Sequence, residues 1–225
     1  MATRVSGRRP RGGQARTRLA RTVVVEAARA LFLERGYAAT TIETISEVSD
    51  VPPATVYRLF SSKLGILKAL LDVSIAGDDQ AVVLLDRPVV RALLADRDPR
   101  SQLSGLSGLI RGIMSRAEPI HRILVSAAGT DPDAAALLAN VTRQWQHGHA
   151  QFARSLARAG ALRPTLRERD ADDIINALTS PEVYRLLVTD RGWSPQRYEQ
   201  WLTDILIGQL LPPPAGTSTA PDTND

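Results

Sequence analysis

Apolar residues recur along most of this chain at the three- and four-residue spacing of an amphipathic α-helix. One clear stripe lies in 195–211, at positions i, i+3, i+4, i+7 and i+8. Its members are Tyr198, Trp201, Leu202, Ile205 and Leu206. The strict alternation of apolar and polar residues that favours β-strands is missing. The pattern therefore predicts an all-α protein.

Several predicted helices start at a proline that directly follows a residue able to cap a helix. A capping oxygen accepts a free backbone N–H, and proline tolerates the first helical position because its missing N–H would be unpaired there. Four such pairs are Asp98-Pro99, Asp131-Pro132, Ser180-Pro181 and Ser194-Pro195. With these starts we predict C-terminal helices over 88–96, 99–116, 119–128, 132–159, 168–191 with a break at Pro181, and 195–211.

Residues 41–60 have the pattern of two short helices joined by a tight turn, and a longer helix over 18–35 that ends at Gly36 precedes them. Thr41 is the predicted N-cap of the first short helix. The predicted inner face of this helix comprises Ile42, Ile45 and Val48. Val51 is expected to close the turn into the core. Two short helices joined in this way form a helix-turn-helix.

The second short helix, which begins at Pro53 and ends at Phe60, is too short to be stable alone. Braced by its neighbours, it would fit the major groove of duplex DNA, about 12 Å wide. We expect Val56, Leu59 and Phe60 to face inward, and Ala54, Thr55, Tyr57 and Arg58 to face outward. Thr55 can contact a phosphate or a thymine methyl group, Tyr57 a phosphate, and Arg58 a phosphate or a guanine edge.

Charge is unevenly placed along the chain, although the net charge is only +4. Seven arginines and no acidic residue precede Glu26. A cationic arm of this kind indicates a polyanionic partner such as DNA, whereas a solvated tail would have the same composition. The Arg- and Gly-rich residues 1–14 and the Pro-, Ser- and Thr-rich residues 212–225 are predicted to be disordered.

The sequence does not favour a disulfide-bonded, membrane-spanning, metal-binding or enzymatic protein. Cysteine is absent, which excludes disulfides and fits the reducing cytoplasm, and no apolar run is long enough to span a membrane. His147 and His149 lie two residues apart and would diverge on a helix. No phosphate-binding loop, nucleophile elbow or metal-binding motif is present. We therefore expect a cytoplasmic protein that is not an enzyme and needs neither a cofactor nor a metal.

The segment Ala27–Leu67 resembles the DNA-binding domain of TetR/AcrR transcriptional regulators. Its ordered matches to that family are Ala27, Ala28, Leu31, Phe32, Gly36, Tyr37, Thr40, Thr41, Ile45, Val51, Thr55, Val56, Tyr57, Phe60, Ser62, Lys63 and Leu67. The resemblance implies a three-helix DNA-binding domain over 15–62, with the helix-turn-helix at 41–60. It also implies a C-terminal helical domain over 63–211 that binds a ligand and dimerises.

The segment departs from the family pattern at several positions. Asp50 stands in the turn where the family usually has Gly, and Asp tolerates the positive φ expected there better than most residues. Pro52 replaces the usual Ser cap, so the start of the recognition helix could fray in the absence of DNA. Leu59 and Leu64 replace the usual His and Glu. Glu43 stands where the family often has a DNA contact, and it would either point away or read a cytosine N4.

The resemblance implies a homodimer that binds a palindromic operator and acts as a repressor released by a small-molecule effector. A constitutive DNA-binding regulator without an effector is the alternative. The helix that starts at Lys63, after the predicted cap Ser62, would transmit the signal. Predicted DNA contacts are Arg18, Thr41, Thr44, Pro53, Ala54, Thr55, Tyr57, Arg58 and Lys63. Predicted ligand contacts are Met114, His121, Trp145, His149, Phe152 and Tyr184. For the dimer, the candidate helices are 132–159 or 168–191, together with 195–211, with Trp193 and Trp201 as anchors.

Overall fold

The computed structural model describes residues 11–77 and 84–213. Within those ranges the chain forms helices and connecting turns and contains no strand, so the all-α prediction is confirmed. The described residues divide into two compact units. The first comprises the residues up to Ser74 together with Pro119–Leu138, and the second comprises Ile75–Glu118 and the residues from Ala139 onward.

The helices that open the chain are α1 (Arg11–Ala39), α2 (Ile42–Ser49), α3 (Pro53–Phe60) and α4 (Lys63–Ala76). In the first unit, α1 packs against α2 and α2 packs against α3. Apolar side chains on the inner faces of all four are buried and form the core of this unit. They include Val24, Ala28, Phe32, Ile45, Val56, Phe60, Ile66 and Leu67.

Helix α1 begins earlier than the sequence predicts. Residues 11–14 fall in the segment 1–14 that composition predicts to be disordered, yet they are helical. The buried turns around Val24 nucleate the helix, which then extends toward the N-terminus through good helix formers such as Gln14, Ala15 and Arg16, although Gly12 and Gly13 disfavour it. Gly36 interrupts α1 with φ +78°, as the sequence predicts. The remaining parts of the two segments predicted to be disordered, 1–10 and 214–225, lie outside the described residues.

The rest of the chain supplies the helices of the second unit, and α6 and α7 also contribute residues to the first. After a 3₁₀ turn at Leu84–Asp86 come α5 (Pro88–Ala95), α6 (Pro99–Ala128), α7 (Pro132–Arg158), α8 (Glu168–Leu178), α9 (Pro181–Tyr184), a π-helical turn (Arg185–Asp190) and α10 (Pro195–Leu210). The predicted break at Pro181 is confirmed. No helix within the described ranges is both long and apolar enough to cross a membrane.

The prediction of two helices over 99–116 and 119–128 is wrong. Residues Pro99–Ala128 form the single helix α6 with Pro119 inside it. A proline in a helix interior removes one hydrogen bond and costs about 3 kcal/mol. Ala117 and Ile120 on either side of Pro119 are fully buried, and this packing holds the helix together across the proline.

The core of the second unit is one cluster of buried side chains. Tyr198, Leu202 and Leu206 form the buried stripe of α10, in agreement with the periodicity of the sequence. The rings of Tyr184 and Tyr198 meet edge to face with centroids 4.9 Å apart. Other members are Leu103, Leu106, Ile110, Met114, Phe152, Leu156 and Ile175.

Candidate nucleic-acid interface

Helix α2 begins at the predicted cap. Thr41 has an extended backbone, and its Oγ1 accepts a hydrogen bond from the Thr44 N–H at 3.1 Å. The expectation that Val48 faces inward is wrong, because 57% of its surface is exposed. Ser46 is buried instead, since positions 42, 45 and 46 share one face of a helix and position 48 does not. The Ser46 hydroxyl donates to the Val51 carbonyl at 2.6 Å and ties α2 to the turn.

The turn between α2 and α3 has the geometry expected from its residues. Asp50 lies in the left-handed region with φ 53°, and its N–H donates to the Ser46 carbonyl. Glycine would take this conformation without strain, and Asp is among the few other residues that tolerate it. Val51 follows and is buried, as predicted. The turn therefore carries a polar residue at its tip and an apolar residue in the core.

Helix α3 presents two different faces. Val56 and Phe60 are buried, whereas Ala54 and Arg58 are exposed and Tyr57 keeps 47% of its surface exposed. These positions agree with the prediction. Thr55 is half-buried, and so is Leu59, which the sequence predicts to face inward. The outer face of this helix is a small patch of hydroxyl, phenol and guanidinium groups.

The start of α3 is formed by backbone alone. Pro53 takes the first helical position, and no side chain caps the helix. The Pro52 carbonyl accepts from the Thr55 N–H at 2.8 Å and from the Val56 N–H at 3.1 Å. The helix thus keeps its first turn even though a proline stands where a capping serine is usual.

Helix α1 braces the far end of α3 through one arginine. The Arg21 Nη1 donates to the Leu59 carbonyl at 2.8 Å, and its guanidinium lies 4.6 Å from the centre of the Phe60 ring. Sequence reasoning missed this contact, because it joins residues 38 positions apart and leaves no local pattern. Arg18, a predicted DNA contact, lies one turn earlier on α1 and is exposed.

The junction between α3 and α4 is compact. Ser61 has φ 66° and donates its N–H to the Tyr57 carbonyl at 2.8 Å. Ser62 caps α4 as predicted, since its Oγ accepts from the Gly65 N–H at 3.1 Å. A Cβ built on Gly65 would overlap the carbonyl oxygen of Phe60. Glycine at this position therefore allows α4 to approach the end of α3.

Lys63, predicted as a DNA contact, is engaged within the first unit. Its Nζ donates to the carbonyls of Tyr37 at 2.7 Å and Thr40 at 2.8 Å, and it lies 4.2 Å from the centre of the Tyr37 ring. Burial lowers the pKa of Lys63, and the nearby Asp131 carboxylate opposes that shift. Burial, together with Asp131 and Asp133, raises the pKa of Tyr37. Two of the three ammonium donors hold the end of α1, which leaves one for a phosphate.

Comparison with known proteins relates the segment that contains α2 and α3 to a family of regulators. Residues 24–70 match the family model described as bacterial regulatory proteins, tetR family. Residues 24–70 thus form a DNA-binding domain of the TetR family of transcriptional regulators. The regulator TcmR of Streptomyces glaucescens is 28% identical over 165 residues, which cover 69% of this chain and 67% of TcmR. YvkB of Bacillus subtilis (strain 168) is 42% identical over 48 residues, which cover 21% of this chain and 25% of YvkB.

Solved structures show that the similarity in fold extends over most of this chain. NalD of Pseudomonas aeruginosa, the secondary repressor of the MexAB-OprM multidrug efflux pump, superimposes with a TM-score of 0.66 at 20% identity, covering 87% of this chain and 98% of NalD. A regulator from Saccharomonospora viridis in complex with choline gives a TM-score of 0.65 at 22% identity, covering 86% and 98%. A helix-turn-helix domain followed by a C-terminal helical domain is therefore the fold of this chain.

The residues that the sequence predicts to bind a ligand lie in different surroundings. Met114, Phe152 and Tyr184 belong to the core of the second unit, and Trp145 packs against it. His149 is buried in the same unit. His121 is also buried, but it belongs to the first unit. Within the described part of the chain, no group of three or more His, Cys, Asp and Glu side chains could hold a metal ion.

His149 lies in a buried hydrogen-bond network on α7 and α8. Its Nδ1 lies 2.8 Å from Asn176 Oδ1, and the Asn176 amide nitrogen donates to Asp172 Oδ1 at 3.2 Å. On the other side, Nε2 lies 3.2 Å from the Thr179 hydroxyl, which donates to the Ile175 carbonyl at 2.7 Å. Burial lowers the pKa of His149, against the smaller opposing effects of Asn176 and the Asp172 charge.

The lowered pKa of His149 predicts a dependence of stability on pH. The unfolded chain, in which His titrates near pH 6.5, binds the proton more readily than the folded chain does. The free energy of unfolding should therefore decrease as the pH falls from 7.5 to 5.5. His149→Gln should reduce that decrease, and the exposed His147→Gln should not. Urea unfolding of the three proteins at both pH values measures this, and equal decreases in all three would contradict it.

Proposed function

We propose that this TetR-family regulator binds a palindromic operator as a homodimer, through the outer face of α3, and represses transcription until a small-molecule effector releases it. In this proposal residues 15–62 form the DNA-binding domain and residues 63–211 the regulatory and dimerisation domain. The observation that carries the proposal is the two-faced α3. Its apolar side is buried, and Ala54, Tyr57 and Arg58 remain exposed on a helix short enough to enter the major groove.

The chemistry of each exposed side chain suggests its role on DNA. Ala54, beside Pro53 at the start of α3, allows the backbone to come close to a base pair. The Tyr57 hydroxyl suits a phosphate oxygen, and the Arg58 guanidinium suits the O6 and N7 atoms of guanine. Thr55 is half-buried and would offer its hydroxyl to a phosphate or its methyl group to thymine.

Residues outside α3 would hold the regulator on the duplex backbone. Thr41 and Thr44 lie at the start of α2, where their hydroxyls are 3.1 Å apart and can share one phosphate. Lys63 would contribute its third ammonium donor, and Arg18 a guanidinium from α1. Contacts of this kind fix orientation and carry no sequence information directly.

Substitutions on α3 should separate base reading from phosphate binding. We expect Arg58→Ala to change the preferred base at one position of each half-site, with a loss of about 1–3 kcal/mol for the wild-type operator. Tyr57→Phe should weaken binding to every operator sequence by the same factor, because it removes only a phosphate contact and no base contact. Binding to a set of operators with single base changes measures both effects. If Arg58→Ala kept the wild-type preference at every position, the proposed base contact would be wrong.

The dimer would form through the C-terminal helices. Members of the family act as dimers, and the π-helical turn and α10 offer suitable apolar groups. Leu186 is an exposed large apolar residue. Trp193 and Trp201 are half-buried, with ring centroids 6.1 Å apart. These positions favour 168–191 with 195–211 as the interface.

The effector would bind in the second unit. Similarity in fold to the regulator solved in complex with choline supports a fold that can accommodate a small molecule. Met114, Phe152 and Tyr184 would supply an apolar lining, and Trp145 and His149 are the other proposed contacts in this unit. A thermal-shift screen of small molecules separates the two candidate functions. A compound that raises the melting temperature and weakens operator binding supports an effector, whereas none in a broad screen supports constitutive binding.

A further inference from the structure

The turn that joins α6 to α7 belongs to the same unit as the helix-turn-helix. Residues Pro119–Leu138, which include the end of α6 and the start of α7, group with the residues up to Ser74. Asp131 stands in this turn, directly before the first residue of α7. Its Oδ1 accepts hydrogen bonds from the Asp133 N–H at 2.9 Å and the Ala134 N–H at 3.2 Å. These capping bonds fix the position of the carboxylate.

The capping bonds occupy one oxygen of the Asp131 carboxylate and leave its charge unpaired. Within residues 11–77 and 84–213, its Oδ2 has no hydrogen-bond partner and the carboxylate forms no ion pair. The charge nevertheless acts on two side chains of the helix-turn-helix region. Asp131 opposes the lowering of the Lys63 pKa by burial, and together with Asp133 it raises the pKa of Tyr37. The turn therefore places a negative charge near the lysine that holds the end of α1.

Lys63 has one ammonium donor that its carbonyl partners leave unused. Two of its three donors go to the carbonyls of Tyr37 at 2.7 Å and Thr40 at 2.8 Å. The third can point toward an anion of the chain or toward an anion outside it, and it cannot serve both fully. The Asp131 carboxylate and a phosphate of the duplex are therefore competing partners. A phosphate that approaches Lys63 also meets the repulsion of the Asp131 charge.

We propose that Asp131 limits the affinity of this protein for DNA by competing with a backbone phosphate for Lys63. This inference rests on the proposed function, in which Lys63 contributes its third donor to the duplex backbone. Because a backbone phosphate carries no sequence information, the effect is the same for every duplex and leaves the base preference unchanged. Asp131 lies within 63–211, the part of the chain that we propose to be regulatory. A shift of the α6–α7 turn would therefore change DNA affinity through this charge.

A variant that loses the charge and keeps the cap tests this inference. Asp131→Asn does both, because Asn and Asp cap helices about equally well. Binding of full-length protein is measured by fluorescence anisotropy at several salt concentrations. The probes are an operator selected from random-sequence duplexes and a mixed-sequence duplex. We expect Asp131→Asn to bind both probes about two- to fivefold more tightly per bound chain at low salt. The gain should shrink at high salt, where charges near the surface are screened.

A matched control separates the position of Asp131 from the loss of one acid. Asp98 directly precedes α6, its Oδ1 accepts from the Arg100 N–H at 3.0 Å, and it lies in the second unit. Asp98→Asn makes the same change in net charge and in the capping residue, and it should keep the wild-type affinity. Lys63→Met provides a second comparison, because Asp131→Asn should give no gain in a protein that lacks the lysine.

Three results would overturn the inference. Asp131→Asn could have the affinity of the Asp98→Asn control, or its gain could be as large in the Lys63→Met protein as in wild type. A gain confined to the selected operator would also overturn it, because a backbone contact acts on every duplex. Failure of the proposed function would look different, since wild-type protein would then not prefer the selected operator over the mixed-sequence duplex.

Discussion

Replacement of Gly65 by alanine is expected to lower the free energy of unfolding by about 3 kcal/mol and to abolish operator binding. The new methyl group would overlap the Phe60 carbonyl oxygen, which belongs to the backbone and cannot rotate away. Either the end of α3 or the start of α4 must move. Because Tyr57 and Arg58 lie in the last turn of α3, this movement would misplace both groups on DNA.

A second glycine provides the control for that experiment. Gly148 lies inside α7, and a Cβ built there would meet no atom within 4 Å. Gly148→Ala should therefore raise the free energy of unfolding by about 0.5–1 kcal/mol through helix propensity and leave DNA binding unchanged. Urea unfolding and anisotropy measure the two quantities. A Gly65→Ala protein with wild-type unfolding and wild-type binding would show that the α3–α4 junction has more room than the structure gives it.

Replacement of Lys63 by methionine is expected to lower the free energy of unfolding by about 2 kcal/mol. The substitution keeps most of the aliphatic stem but removes the ammonium group that bonds to the Tyr37 and Thr40 carbonyls. Those carbonyls lie where α1 ends, and they would lose a charged donor. The start of α2 follows Thr40 directly, so DNA binding should weaken together with stability.

The only other lysine of the chain serves as its control. Lys68 is exposed and pairs with Asp72 at 2.6 Å, four residues along α4. Exposed pairs of this kind contribute less than about 0.5 kcal/mol, so Lys68→Met should leave the unfolding curve nearly unchanged. Equal decreases in the free energy of unfolding for Lys63→Met and Lys68→Met, measured by urea unfolding, would contradict the structural role assigned to Lys63. A Lys63→Met protein that loses DNA affinity without losing stability would also contradict it, because the phosphate contact would then be the main role of Lys63.

Much of the first unit could be predicted from the sequence, because it depends on interactions between residues that are close in the chain. The Thr41 cap, the buried Val51 and the Ser62 cap each follow from one residue and its nearest neighbours, and the positive φ at Asp50 follows from the family resemblance. The predicted inner face of α2 is wrong at one position. Val48 is apolar but lies on the exposed face of α2, and the small polar Ser46 takes the inner position.

Contacts between distant parts of the chain could not be predicted in the same way. Arg21 reaches Leu59 across 38 residues, and Lys63 reaches Tyr37 across 26. Neither contact produces a periodic pattern in the sequence, so the sequence alone does not distinguish Arg21 and Lys63 from unpaired surface charges. Pro119 looked like a helix boundary for a related reason, because the buried neighbours that sustain α6 across it come from the tertiary structure. The DNA and ligand contacts remain predictions at the level of single residues.

Methylation interference on a selected operator tests the central claim, that the outer face of α3 enters the major groove. Guanine N7 lies in the major groove and adenine N3 in the minor groove, so the methylated base identifies the groove. For a dimer we predict interference at guanines in two half-sites with centres about 34–36 Å apart. Arg58→Ala should relieve it at one guanine of each half-site. Interference from adenines alone, or a guanine pattern unchanged in Tyr57 and Arg58 variants, would contradict the account.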